Sequence, residues 1–151
     1  MEQFWTWVHR AASVAILTIF VLGIVRQFPK TPTGFKMGDK VPALAEWDYT
    51  GRTSTIVFAS TTCPFCNESI GFYQSMIGPN FVLAYHEPAE VVAPYLKTKG
   101  YTGNWRANVS MTNFKVTGFP TIYLVNAEGE LTLQEQGKLP PEKEKAFSKG
   151  Q

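Results

Sequence analysis

The chain has 151 residues, of which 44% are hydrophobic and 17% are charged. This composition supports one globular domain with an appendage and excludes a disordered polymer. The 14 basic and 12 acidic side chains leave a net charge of +2 without a Lys/Arg cluster, so we expect no nucleic-acid partner.

The first predicted element is an apolar segment, AASVAILTIFVLGIV, which spans residues 11–25 between Arg10 and Arg26. It is short for a hydrocarbon core of ~30 Å, which takes about 20 residues. Aromatic residues flank it, however, and both arginines can extend toward the membrane interface. No A-x-A-like cleavage site follows Gly23, so residues 1–26 are interpreted as an uncleaved anchor. A cleaved leader and a buried soluble helix are the alternatives.

A stretch rich in Pro, Gly, Thr and Lys follows the apolar segment. We interpret residues 27–36 as a linker to a domain over residues 37–151. More basic residues follow the apolar segment than precede it. By the positive-inside rule, this count leans toward a cytoplasmic position of the domain.

Strands and helices alternate in the first half of the domain. The apolar runs TIVFAS, at residues 55–60, and FVLAY, at residues 81–85, are typical of strands buried on both faces. A helix is predicted from Pro64 to about Ile77, because proline fits the first helical position. A second helix is predicted to begin at Pro88. This order indicates parallel strands with right-handed crossovers.

The second half of the domain changes to an antiparallel pattern. TIYLV, at residues 121–125, and the run at residues 130–136 flank an Asn-Ala-Glu-Gly turn and predict a hairpin. Residues 140–147 predict a closing helix, and Pro94 is expected to kink or break the second helix. The predicted fold class is α/β, with a mixed central sheet and helices on both faces, preceded by a transmembrane or signal-anchor helix.

The only two cysteines, Cys63 and Cys66, follow the first strand in the stretch TTCPFC. A structural disulfide over so short a loop gains little chain entropy. A structural zinc site takes four ligands, and the chain adds only His9 and His86. A redox pair is therefore favoured by the strand, CxxC and helix order.

The position of the cysteines also indicates a mechanism. Cys63 lies at the predicted helix start, where unsatisfied N–H groups and the helix dipole favour a thiolate. It would attack a partner's disulfide, and Cys66, one turn further on, would resolve the mixed disulfide. The residues expected to support the helix start are Thr62, with Thr61 as the alternative cap, Pro64 and Phe65.

Two separated motifs, FASTTCPFC at residues 58–66 and VTGFPTIYLVNAEGEL at residues 116–131, resemble the thioredoxin superfamily. The stretches MGDKVPAL and YHEPAEVVAPYL are similar to membrane-tethered, extracytoplasmic redoxins of the TlpA and cytochrome-maturation type. The resemblance covers roughly residues 37–137. It implies a thiol–disulfide oxidoreductase with no metal and no cofactor other than a redox-active Cys63–Cys66 disulfide.

The resemblance also implies residues that contact the substrate. In that superfamily the proline before a threonine is cis and lies against the disulfide. This role is carried to Pro120, with the backbone of Phe119 pairing with the partner chain and Thr121 next to it. An ordinary bend at the strand entry is the alternative. The implied partners are protein disulfides or dithiols of the cell envelope and a redox partner protein, met by a periplasmic domain tethered through its N-terminal helix.

The sequence departs from the thioredoxin pattern in ways that bear on mechanism. Thr62 stands where thioredoxins usually have Trp, and Val57 stands where many bury a carboxylate, so a buried acid as proton relay is in doubt. Two other functions stay open. One is peroxide reduction, although Ile56 and Ser60 replace the Pro and Thr of the peroxidase pattern. The other is copper handling, with the cysteine pair and His86 as soft ligands.

Overall fold

The computed structural model describes residues 34–45, 47 and 51–149, which lie in one compact unit within Thr33–Gln151. The predicted anchor over residues 1–26 and most of the predicted linker lie outside the described residues. In the part of the chain that is described, no helix combines the length and apolar character needed to cross a bilayer.

A mixed sheet forms the centre of the described domain. Its strands lie in the order β3-β2-β1-β4-β5, with β1, β2 and β3 parallel and with β4 antiparallel to both β1 and β5. The predicted mixed sheet and the predicted hairpin are confirmed. The elements are β1 (Ser54–Ala59), α1 (Pro64–Glu68), α2 (Ile70–Ser75), β2 (Phe81–Tyr85), α3 (Ala89–Thr98), β3 (Asn104–Arg106), β4 (Thr121–Val125), β5 (Leu131–Gln136) and α4 (Pro141–Lys149).

The central strands β1 and β2 are buried along their whole length, which explains why both appear as apolar runs without alternation. Their side chains alternate between the two faces of the sheet. Ile56 and Phe58 belong to one apolar cluster, whereas Val57 and Ala59 belong to the other. Because β1 lies in the middle of the sheet, the loop that follows it begins on a rigid support.

The two faces of the sheet are covered differently. The helices supply side chains to the cluster that contains Val57, namely Cys66, Tyr73, Val92 and Phe147. The cluster that contains Phe58 is covered, among the described residues, by the segment before β1 and the loop between β3 and β4. The prediction of helices on both faces is therefore wrong for the described part of the chain. Asn108 and Lys115 have φ values of 55° and 52°, and such left-handed residues interrupt helical turns in that loop.

The helices also differ in detail from the predicted ones. The helix expected from Pro64 to about Ile77 is divided at Ser69 into α1 and α2, although Ser69 continues the hydrogen-bond ladder in both directions. Helix α3 begins after Pro88, as predicted, but runs through Pro94 without a break. Pro94 is exposed, so its missing N–H leaves an acceptor that water can satisfy.

Val91 and Val92, neighbours on α3, provide a test of this packing because they are 44% and 0% exposed. We expect Val92→Ala to lower the free energy of unfolding by about 1–3 kcal/mol, since it removes buried methyl groups and leaves a cavity. Val91→Ala should change it by no more than ~0.5 kcal/mol. Both substitutions alter helix propensity equally, and urea denaturation measures both. Equal effects would contradict the described burial of α3.

Candidate active site

The cysteine pair lies at the start of α1, directly after the end of β1. Cys63 is the N-cap residue, with φ −81° and ψ 116°, and Pro64 takes the first helical position, as predicted. The backbone N–H of Cys66 donates a hydrogen bond of 3.2 Å to Cys63 Sγ. The cap is therefore the cysteine sulfur itself, and the expectation that Thr61 or Thr62 caps the helix is wrong.

The two sulfurs have unequal environments. Cys63 is partly exposed and Cys66 is buried, and both are free thiols. Burial, followed by the hydrogen bond with the Cys63 side chain, raises the pKa of the Cys66 thiol, and a backbone hydrogen bond from Ser60 opposes this only in part. Phe65, between the cysteines, is 53% exposed. A partner protein can thus reach Cys63 directly, while Cys66 is kept as a protonated thiol in the interior.

The loop from Ser60 to Thr62 is held by a carboxylate. Glu87 Oε1 accepts hydrogen bonds from Ser60 Oγ at 2.6 Å, from Thr61 N at 2.8 Å and from Thr61 Oγ1 at 3.1 Å. Thr62 Oγ1 lies 3.0 Å from Ser60 Oγ, and the Thr62 N–H donates to the same oxygen. Thr62 therefore supports the loop before Cys63.

Glu87 was not identified as a site residue from the sequence. It stands two residues after β2, and β1 and β2 run parallel. The carboxyl ends of parallel neighbours lie at the same edge of a sheet, so the residues after both strands meet there. The position of Glu87 just after a predicted strand parallel to β1 is therefore the signal that could have identified it from the sequence.

The Glu87 carboxylate is ionised in this environment. Burial raises its pKa, but hydrogen bonds from Ser60 and the backbone, together with the nearby His86, outweigh burial, so the pKa is lowered overall. Its second oxygen, Oε2, is buried and lies 3.3 Å from His86 Nδ1 without hydrogen-bond geometry.

The loop before β4 approaches the same edge of the sheet. The Phe119–Pro120 peptide bond is cis, as the resemblance implies. Thr121 pairs with Phe58 of β1, so Pro120 lies where β1 leads into the cysteine loop. Phe119 packs against the apolar cluster that Cys63 also contacts. The structure thus brings the two predicted parts of the site to one edge of the sheet.

His86 connects the two loops. Its ring stacks on Phe119, with 5.3 Å between the ring centroids and an interplanar angle of 3°. Within the described ranges, no group of three or more His, Cys, Asp and Glu side chains is arranged to hold a metal ion.

The other carboxylate near the cysteines belongs to Glu68, and its contacts do not favour a role in proton transfer. It forms an ion pair with Lys138 at 2.7 Å, and both side chains are about half exposed. Val57, at the position where many thioredoxins have an acid, is fully buried in the apolar core.

The unequal burial of the sulfurs predicts unequal reactivity. Near neutral pH, we expect iodoacetamide to label Cys63 at least about a hundredfold faster than Cys66. The reason is that the thiolate reacts and each unit of raised pKa lowers its fraction about tenfold. Peptide mass spectrometry after short labelling measures both sites. In urea the difference should disappear, and faster labelling of Cys66 in the folded protein would reverse the assignment of the attacking sulfur.

No protein-family profile and no curated protein sequence matches the chain, but solved structures do. A candidate thiol:disulfide interchange protein DsbE from Chlorobium tepidum matches with a TM-score of 0.65 at 18% identity, over 77% of this chain and 95% of its own. StoA from Bacillus subtilis matches with 0.56 at 17%, over 80% and 98%. The thioredoxin domain of a thiol-disulfide oxidoreductase from Bacteroides vulgatus matches with 0.61 at 16%, over 78% and 99%. The chain therefore has a thioredoxin-like fold, with its single CxxC pair at the start of the helix that follows the central strand.

Proposed function

We propose that the protein is a thiol–disulfide oxidoreductase that exchanges disulfides with other proteins through Cys63 and Cys66. The observation that carries this proposal is the arrangement of the two sulfurs: one is accessible and accepts the N–H of the other, which is buried. The cis-proline loop at the same edge of the sheet supports it. So do the names of the structural neighbours, which describe thiol–disulfide exchange.

The exchange takes two displacement steps. The Cys63 thiolate attacks one sulfur of a partner's disulfide, which forms a mixed disulfide and releases the other partner sulfur as a thiolate. Cys66 then loses its proton to the released thiolate or to water and attacks Cys63 Sγ. This closes the Cys63–Cys66 bond and frees the partner as a dithiol. The partner gains two electrons and the protein loses two; the reverse sequence oxidises a dithiol.

The resolving step depends on the protonation of Cys66. Burial is the largest cause of its raised pKa and persists throughout the reaction, whereas the contributions from Cys63 belong to the reduced pair. When Cys63 is bonded to a partner, its sulfur carries no charge, so the electrostatic opposition to a Cys66 thiolate is smaller. Attack by the buried sulfur is therefore favoured after the mixed disulfide has formed.

We assign substrate contact to the loop of Phe119 and Pro120, with the backbone of Phe119 pairing with an extended partner chain. Thr121 lies next to this loop but is buried, and its hydroxyl donates to the Gly118 carbonyl, so the expectation that Thr121 contacts the substrate is wrong. Phe65 is exposed two residues after Cys63, and we assign to it an apolar contact with the partner. Pro64 fixes the start of α1 and keeps Cys63 at the helix end.

The location is part of the proposal. Residues 1–26 anchor the protein in the cell membrane and the domain over residues 37–151 faces the periplasm, where a disulfide can persist. The apolar segment at residues 11–25 supports the anchor, whereas the count of basic residues opposes this orientation.

Protease added to spheroplasts should degrade the domain. Protection of the domain until the cells are lysed would place it in the cytoplasm.

Single substitutions distinguish the roles of the two sulfurs. Cys66→Ser should accumulate mixed disulfides with partner proteins, because the bond to Cys63 then forms without being resolved. Cys63→Ser should reduce insulin only at the background rate of the added thiol reductant, since the accessible sulfur is lost. Non-reducing gels and insulin turbidity measure the two effects. A Cys63→Ser variant that reduces insulin at the normal rate would reject the mechanism.

A further inference from the structure

We propose that Glu87 is a positioning residue for disulfide exchange, which holds the loop of Ser60, Thr61 and Thr62 in the geometry that places both sulfurs. The inference rests on the proposed function and concerns a side chain outside both the CxxC stretch and the cis-proline loop. Glu87 acts through its neighbours, since its carboxylate contacts the loop before Cys63.

Ser60 connects this carboxylate to both sulfurs. Its hydroxyl donates to Glu87 Oε1 at 2.6 Å, and its carbonyl accepts the Cys63 N–H at 3.2 Å. Cys63 in turn accepts the Cys66 N–H through its sulfur. Ser60 is buried, so a displacement of this one residue moves the contacts of Cys63 and Cys66 together.

The backbone of Glu87 is itself held in place. The Asn108 N–H donates to the Glu87 carbonyl at 3.0 Å, and the Val109 N–H donates to the Tyr85 carbonyl at 2.9 Å. Asn108 takes up its left-handed conformation at this point, which asparagine tolerates better than most residues. The carboxylate therefore extends from a backbone that neighbouring N–H groups bind at the last residue of β2 and again at Glu87 itself.

The negative charge of Glu87 favours a role in holding the cysteine loop by hydrogen bonds over a role in proton transfer. Hydrogen bonds to a charged acceptor are shorter and roughly twice as strong as neutral ones, and one oxygen here accepts from three donors. A carboxyl group with a lowered pKa is also a poor proton acceptor near neutral pH. Glu87 thus does not replace the acid that is missing at Val57.

The second oxygen extends the effect to the cis-proline loop. Oε2 lies 3.3 Å from His86 Nδ1, and the His86 ring stacks on Phe119. One carboxylate therefore touches the loop that presents Cys63 and, through His86, the residue assigned to substrate contact.

The test is Glu87→Gln in the full-length protein, which keeps the shape of the side chain and removes its charge. The matched control is Glu130→Gln, because Glu130 also accepts hydrogen bonds, from Asn126 and Lys40, but in the turn between β4 and β5. Three quantities are measured: the melting temperature, the rate of disulfide exchange with insulin, and amide hydrogen exchange at Thr61 by NMR.

In Glu87→Gln we expect disulfide exchange to slow about tenfold and the Thr61 amide to exchange about tenfold faster, a factor that corresponds to weakening one charge-assisted hydrogen bond. The melting temperature should fall more in Glu87→Gln than in Glu130→Gln, because the lost charge weakens three hydrogen bonds. Both rates of Glu130→Gln should equal those of the wild type. A purely structural role would lower the melting temperature without changing the exchange rate of the folded protein.

Wild-type rates of disulfide exchange and of Thr61 amide exchange in folded Glu87→Gln would overturn the proposal. If Glu87→Gln does not fold, Ser60→Ala removes one donor from the same carboxylate. It should slow disulfide exchange in the same direction by a smaller factor, and an unchanged rate would overturn the proposal. A wild-type protein without any exchange activity would refute the proposed function instead. Thr61 amide exchange would then decide alone whether Glu87 holds the loop.

Discussion

Parallel pairing of β1 with β2 is the constraint on which the site depends. Ala59 pairs with Tyr85 at the last register position of the two strands, so the residues that follow each strand emerge side by side. One strand is followed by the cysteine loop and the other by His86 and Glu87. A shift of the register by one residue would turn these side chains to the opposite face of the sheet. The strand pairing therefore determines which side chains of the two loops meet.

The same sheet separates the roles of the sulfurs. Cys63 caps α1 beyond the end of β1, whereas Cys66, one turn further on, faces the buried cluster beneath the helix. Identical side chains thus acquire different accessibility from their order along the chain. A short helix is sufficient for this, because its first turn alone determines which sulfur faces outward.

The sequence predicts those features that depend on neighbouring residues. Two apolar runs predict β1 and β2, Pro64 predicts the helix start, and the resemblance implies the cis bond before Pro120. Glu87 escapes prediction because its role arises only when two distant strands pair. The threonine cap fails for a different reason: the Cys63 sulfur already accepts the N–H that a hydroxyl would have taken. Strand β3 is three residues long, too short to show a periodic pattern.

The face of the sheet without helical cover has its own consequence. There the middle of the loop between β3 and β4 is held by aromatic residues: Phe114 packs on Phe58, and its carbonyl accepts the buried Tyr123 hydroxyl at 2.8 Å. Substitution of these aromatic residues can change the shape of the loop while all backbone hydrogen bonds between the strands are kept. Because this segment leads directly into Phe119 and Pro120, substitutions in it can, under the proposed function, alter which extended chains fit beside Cys63 while the cysteine loop keeps its structure.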